Sequence, residues 1–103
     1  MRMIVFFDLP TVTAKERNAY NKFRKGLVKE GFVMMQESVY VKLALNNSIV
    51  DSEKEKIKKI KPKNGVIQLL TITEKQFSSI EYIIGGKNTN TLDDTERLVI
   101  LWN

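Results

Sequence analysis

The run Met3-Ile4-Val5-Phe6-Phe7, closed by Asp8-Leu9-Pro10, constrains this chain more than any other feature. Five apolar residues, β-branched and aromatic among them, are too few for an ordinary helix and read as a strand. A strand with one wet face alternates apolar and polar side chains; this one does not, which predicts cover on both faces. Pro10 has no N–H to give to a ladder and ends the strand.

The remaining segments supply neighbours for that strand. Thr13 and Glu16 have the spacing of a capping box, so a helix is predicted over Ala14–Glu30, stopped by Gly31. At 100° per residue, Ala19, Tyr20, Phe23, Gly26 and Leu27 share an inward arc. Phe32–Leu45 reads as extended but is long for one strand, and a break near Glu37-Ser38 makes it two. Asn46-Asn47-Ser48 is a cap cluster in which Ser48 and Asp51 offer a second capping box. The helix that follows, about 49–60, turns Val50, Ile57 and Ile60 inward. Val66–Thr73 is a further strand and Glu74–Ile80 a short helix. A brief strand over Glu81–Ile84, a polar loop over Lys87–Thr95 and a last strand over Glu96–Trp102 complete the reading. The order predicts an α+β, ferredoxin-like fold (βαββαβ) with additional C-terminal strands, in which an antiparallel sheet carries its helices on one face.

At 103 residues this is one domain, 1–103. A domain of that size buries only about two-thirds of its unfolded surface, so pairing with a second copy would stabilise it. The apolar run Leu98, Val99, Ile100 and Leu101 is the candidate dimer contact, because an apolar edge strand aggregates unless another chain covers it. No apolar stretch is long enough to span a membrane, and the N-terminal run is too short for a signal peptide, so a cytoplasmic protein is expected.

Composition narrows the chemistry. The chain has no Cys, which excludes disulfides and thiolate sites, and no His, which removes the commonest general base. An enzyme built from it relies on carboxylates, Lys, Tyr, Ser/Thr or a hard cation such as Mg²⁺. The formal charge is +5, and it is uneven: residues 1–63 hold 14 basic and 7 acidic side chains, residues 64–103 hold 3 and 5. A basic N-terminal part fits a polyanion, most simply nucleic acid. Lys15, Lys22, Lys25 and Lys29 form a stripe on the first helix, with Arg17 and Arg24 in a second row. Few acids stand at pairing distance along it, so these six are the candidate phosphate contacts; the alternative is a solvated charged face. The cluster at Lys54–Lys63 is offset by Glu53 and Glu55 and reads as solvated surface.

Several segments together resemble a known family: Met3-Ile4-Val5-Phe6-Phe7-Asp8-Leu9-Pro10, the helix with Arg17, Tyr20 and Phe23-Arg24-Lys25, Gln36-Glu37-Ser38-Val39-Tyr40-Val41-Lys42-Leu43, and Leu69-Leu70-Thr71-Ile72-Thr73-Glu74-Lys75-Gln76-Phe77. Their order and spacing resemble the Cas-two (Cas2) family, the small core protein of CRISPR spacer acquisition, and most closely the branch that accompanies type II-A systems. The resemblance implies a ferredoxin-like homodimer in which the last strand, here 96–103, crosses to the partner's sheet. It also implies a place between two dimers of the larger CRISPR integrase (Cas-one), binding duplex DNA. Some members are described as Mg²⁺-dependent endonucleases on RNA or DNA, with a carboxylate at the end of the first strand as metal ligand.

That position here is Asp8, the candidate catalytic and metal residue; the plain reading is a turn-forming acid. Ser38 is the second catalytic candidate, a hydroxyl that orients a water or phosphate near a dimer cleft, against the alternative of a hydroxyl bonding backbone at a strand break. Two functions follow: a non-catalytic architectural subunit, or a metal-dependent nuclease using Asp8. A small-molecule sensor on the same fold has only Gly85-Gly86 in its favour.

Overall fold

The computed structural model describes residues 1–86. The run that dominates the sequence becomes β1 (Arg2–Asp8), and it takes an interior position in a four-stranded sheet ordered β2-β3-β1-β4. β2 (Val33–Gln36), β3 (Val39–Leu43) and β4 (Val66–Ile72) surround it, and every neighbouring pair is antiparallel. α1 (Ala14–Lys29) links β1 to β2, α2 (Asn47–Ile60) links β3 to β4, and a short α3 (Glu74–Ser78) follows. This is the ferredoxin-like arrangement the sequence predicts.

Local chemistry sets the element ends. Thr13 Oγ1 accepts from the Glu16 N–H while Glu16 Oε1 accepts from the Thr13 N–H, so the capping box forms. At the other end Gly31 takes φ 94°, Phe32 N–H reaches back to Leu27 O and Gly31 N–H to Val28 O. That closes α1 in a Schellman motif, with Phe32 buried beside it. The break in the long extended segment falls where expected, and Ser38 sits in it at φ 64°. α2 starts differently from the expectation. Asn46 is the N-cap, its Oδ1 accepting from the Ile49 N–H, and the Ser48/Asp51 box is not used.

The core lies between α1, α2 and one face of the sheet. Met3, Val5 and Phe7 of β1 pack with Tyr40, Phe23, Leu27, Val50 and Ile57. Phe7 meets Phe23 edge-on, with ring centroids 5.1 Å apart. α2 also turns Glu53 inward, 4% exposed, where Lys42 Nζ binds its Oε2 at 2.8 Å and donates to Glu30 O at 2.6 Å. Glu53 is therefore part of the interior, although its Oε2 also lies 3.8 Å from the half-exposed Lys56 Nζ.

Cover on both faces of β1 is not what the described residues provide. Strand alternation sends Arg2, Ile4, Phe6 and Asp8 to the side that carries neither α1 nor α2. At the level of Ile4 the register aligns Val33, Val41, Ile4 and Leu70 in one apolar row across all four strands. The inner members are shielded, Ile4 at 5% and Val41 at 8% exposed, while the outer members Val33 and Leu70 are 66% and 50% exposed. Glu81–Ile84 is not a strand: it pairs with no described strand, bends at Ile83-Ile84-Gly85, and leaves Tyr82, Ile83 and Ile84 exposed. The predicted strand over 96–103, with Leu98, Val99, Ile100 and Leu101, lies outside the described residues.

Candidate metal and nucleic-acid sites

Asp8 ends β1, is exposed, and stands opposite Val66 in the β1–β4 ladder. Its backbone is held closely. Gly65, at φ 109°, comes so near that a Cβ there would lie 2.8 Å from Asp8 O and 2.6 Å from Leu9 Cδ2. Only glycine fits that approach and that φ. Asp8 shares the open face with Ile4 and Phe6. Among the described residues, no group of three or more acidic side chains is placed to hold a metal. Mg²⁺ demands near-octahedral oxygen coordination, usually from one or two carboxylates plus waters and substrate. One exposed Asp8 does not fit that ion within a single chain.

Ser38 lies at the same end of the sheet, and Phe7 N–H donates to its carbonyl oxygen at 3.0 Å. Its side chain, however, pairs with the Tyr20 hydroxyl of α1 at 2.9 Å. The two catalytic candidates thus share an end of the sheet but not a face: Asp8 looks to the open side, Ser38 to the helix side. Tyr20, an inward residue in the sequence reading, is half-buried against Phe7 and keeps its hydroxyl for Ser38. Its polar tip sits in a row otherwise made of apolar residues, so periodicity alone does not single it out.

The six basic candidates of α1 also divide. Lys15, Arg17, Lys22, Lys25 and Lys29 are exposed and Arg24 is half-buried. Arg17 donates to Thr11 O and Val12 O, which ties its guanidinium to the β1–α1 loop. Lys15 and Lys22 line a groove of about 500 Å³ between α1 and the segment that leaves α2 for β4. The last turn of α2 gives the groove Lys59, and the segment beyond it gives Lys61 and Lys63. The sequence reading leaves these three on a solvated surface; the fold instead places them with part of the α1 stripe. The signal lay in Gly26, where a Cβ would stand 2.7 Å from Ile60 Cδ1. That close approach draws the end of α2 against α1, and the groove opens from there toward the α1 N-terminus. None of the five lysines forms an ion pair with a described residue, whereas Lys56 pairs with Glu30 and Glu53 and Lys58 with Glu55.

No helix among the described residues is long and apolar enough to cross a membrane. The family model of CRISPR associated protein Cas2 matches residues 1–80. A protein of Treponema denticola named CRISPR-associated endoribonuclease Cas2 is 52% identical over 98% of this chain and 100% of its own length. One of the same name from Streptococcus mutans is 52% identical over 98% of this chain and 93% of its own. In structure, the chain is similar to Streptococcus pyogenes Cas2, crystallised at pH 6.5, with a TM-score of 0.62 and 21% identity over 81% of this chain and 99% of that one. With an antiparallel sheet carrying both long helices on one face, Asp8 closing the first strand, and these matches over most of its length, the chain belongs to the Cas2 family of CRISPR-associated proteins.

Proposed function

We propose that this protein is a cytoplasmic subunit of CRISPR adaptation. In this reading it is a homodimer that bridges two dimers of the larger integrase, Cas-one, and helps bind duplex DNA during spacer acquisition in antiviral defence. The observation that carries the reading is the division of the sheet. One face is closed by α1 and α2; the other carries an apolar row in which Ile4 and Val41 are shielded at the centre and Val33 and Leu70, at its ends, are exposed to water. A second copy laid on that face removes the row from water and leaves both basic α1 helices pointing outward, free for phosphates. Residues 96–103 then serve as a strand added to the partner's sheet.

A second reading is favoured by where Asp8 sits. It is exposed on the open face, so a dimer formed through those faces brings two copies of Asp8 to one interface, and the relatives from Treponema denticola and Streptococcus mutans are named endoribonucleases. A cation site in such a dimer needs both copies of Asp8, since one chain does not supply it. Ser38 directs its hydroxyl to Tyr20 on the helix side, so in this reading the cation site rests on Asp8.

Reconstitution with the integrase separates the two. Integration is expected to be unchanged by Asp8→Asn and Asp8→Ala, while any Mg²⁺-dependent cleavage of RNA or DNA by the protein alone is lost in both. Loss of integration by Asp8→Asn, with complex assembly and DNA binding intact, would make the protein a catalyst of that reaction.

A further inference from the structure

We infer that the groove between α1 and the α2–β4 connection holds one strand of nucleic acid, its phosphates gripped by Lys15 and Lys22 on one wall and Lys59, Lys61 and Lys63 on the other. This rests on the reading of the protein as a nucleic-acid-binding subunit, and adds a second, distinct mode of contact to it.

Charge comes first. Five lysines from two separate segments line one groove, and none is paired with a described carboxylate. The single acid on the lining, Glu16, is committed: its Oε1 accepts from the Val12 and Thr13 N–H groups at 3.0 and 2.9 Å. Like charges so gathered repel one another, and a polyanion relieves that repulsion while releasing its own counterions. The floor argues for a strand and not for a free phosphate. Leu9, Pro10, Ala19, Ile60 and Pro62, with the half-buried Tyr20 ring, give an apolar bed for sugars and base faces. Size argues against a duplex. The groove, about 500 Å³, falls in the range that encloses a single drug-sized group, so it takes one or two nucleotides of one strand. A duplex would touch only the rims. Lys25 and Lys29 continue the α1 stripe beyond the groove and remain available to a duplex.

The test uses the full chain and fluorescence anisotropy with a labelled mixed-sequence oligonucleotide of about 12 nucleotides, as single-stranded DNA, single-stranded RNA and blunt duplex, over a salt series. Lys59→Gln/Lys61→Gln/Lys63→Gln is expected to weaken single-strand binding roughly 10- to 100-fold near 0.1 M salt and to flatten the log–log salt slope by about two. The same positions changed to Arg keep both values, and Lys25→Gln/Lys29→Gln leaves single-strand affinity near wild type. Duplex binding responds in the opposite way, losing more to Lys25→Gln/Lys29→Gln than to the groove variant. An unchanged single-strand slope in the groove variant overturns the inference, as does an equal loss on duplex and single strand. Should no variant, nor the wild type, bind duplex, the bridging function falls, and the groove is still judged on its single-strand arm.

Discussion

The two faces of the sheet are built from the same four strands and behave as two materials. On the helix side, Met3, Val5 and Phe7 interlock with Phe23, Leu27, Val50 and Ile57, and the buried Glu53 carboxylate is bonded through Oε2 to the partly solvated Lys42. On the other side the residues between them in sequence, Ile4 and Phe6, join Val33, Val41 and Leu70 in an apolar surface that neither long helix covers, and the short α3 meets it at Arg2, through Glu74 and Phe77. A strand without alternation therefore means that two covers are needed, and the chain spends α1 and α2 on one of them. The second cover is the reason to expect another copy.

Several substitutions break or sharpen that contrast. The largest effect is expected in the closed core. Leu27→Ala removes a fully buried side chain under the sheet and should cost about 3 kcal/mol, read as a lower urea midpoint at constant slope. Glu53→Ala strands the Lys42 ammonium, which keeps only Glu30 O; because Lys42 is partly solvated, the loss should be roughly 2 kcal/mol. The double change Glu53→Leu/Lys42→Met should restore much of it, since an apolar pair leaves no orphaned charge. At the strand break, Ser38→Ala forfeits the Tyr20 hydroxyl bond and keeps the left-handed φ, for a loss of about 1 kcal/mol, whereas Ser38→Gly relieves the backbone and should be close to neutral. The smallest effect is expected at Gly26→Ala: a better helix residue worth about 1 kcal/mol meets the movable end of Ile60, and the two contributions nearly cancel in thermal unfolding.

What could be read from the sequence was what depends on near neighbours. The Thr13–Glu16 box, the Gly31 stop, the break at Ser38 and the strand character of β1 are decided within a few residues, and all four are present. What could not be read depends on distant segments meeting. Glu53 shares the inward stripe of Val50 and Ile57, three and four residues away, but its charge marks it as surface until Lys42 is known to lie beside it. The groove lysines belong together only once Gly26 has let α2 approach. Glu81–Ile84 has strand composition yet no described ladder to join, and composition without a partner makes no strand. Asp8 was legible as a position; that Ser38 faces away from it was not, because the direction of a turn side chain is set by the helix packed against it.

Mass in solution tests the division of the sheet most directly. Sedimentation equilibrium on the wild type should give roughly twice 11.9 kDa, while Leu70→Lys and Val33→Lys, at positions already exposed in the single chain, should give about 11.9 kDa with an unchanged circular dichroism spectrum. A wild-type protein that stays at 11.9 kDa, or lysine variants that remain fully dimeric, would contradict the claim that the open face is where a second copy binds.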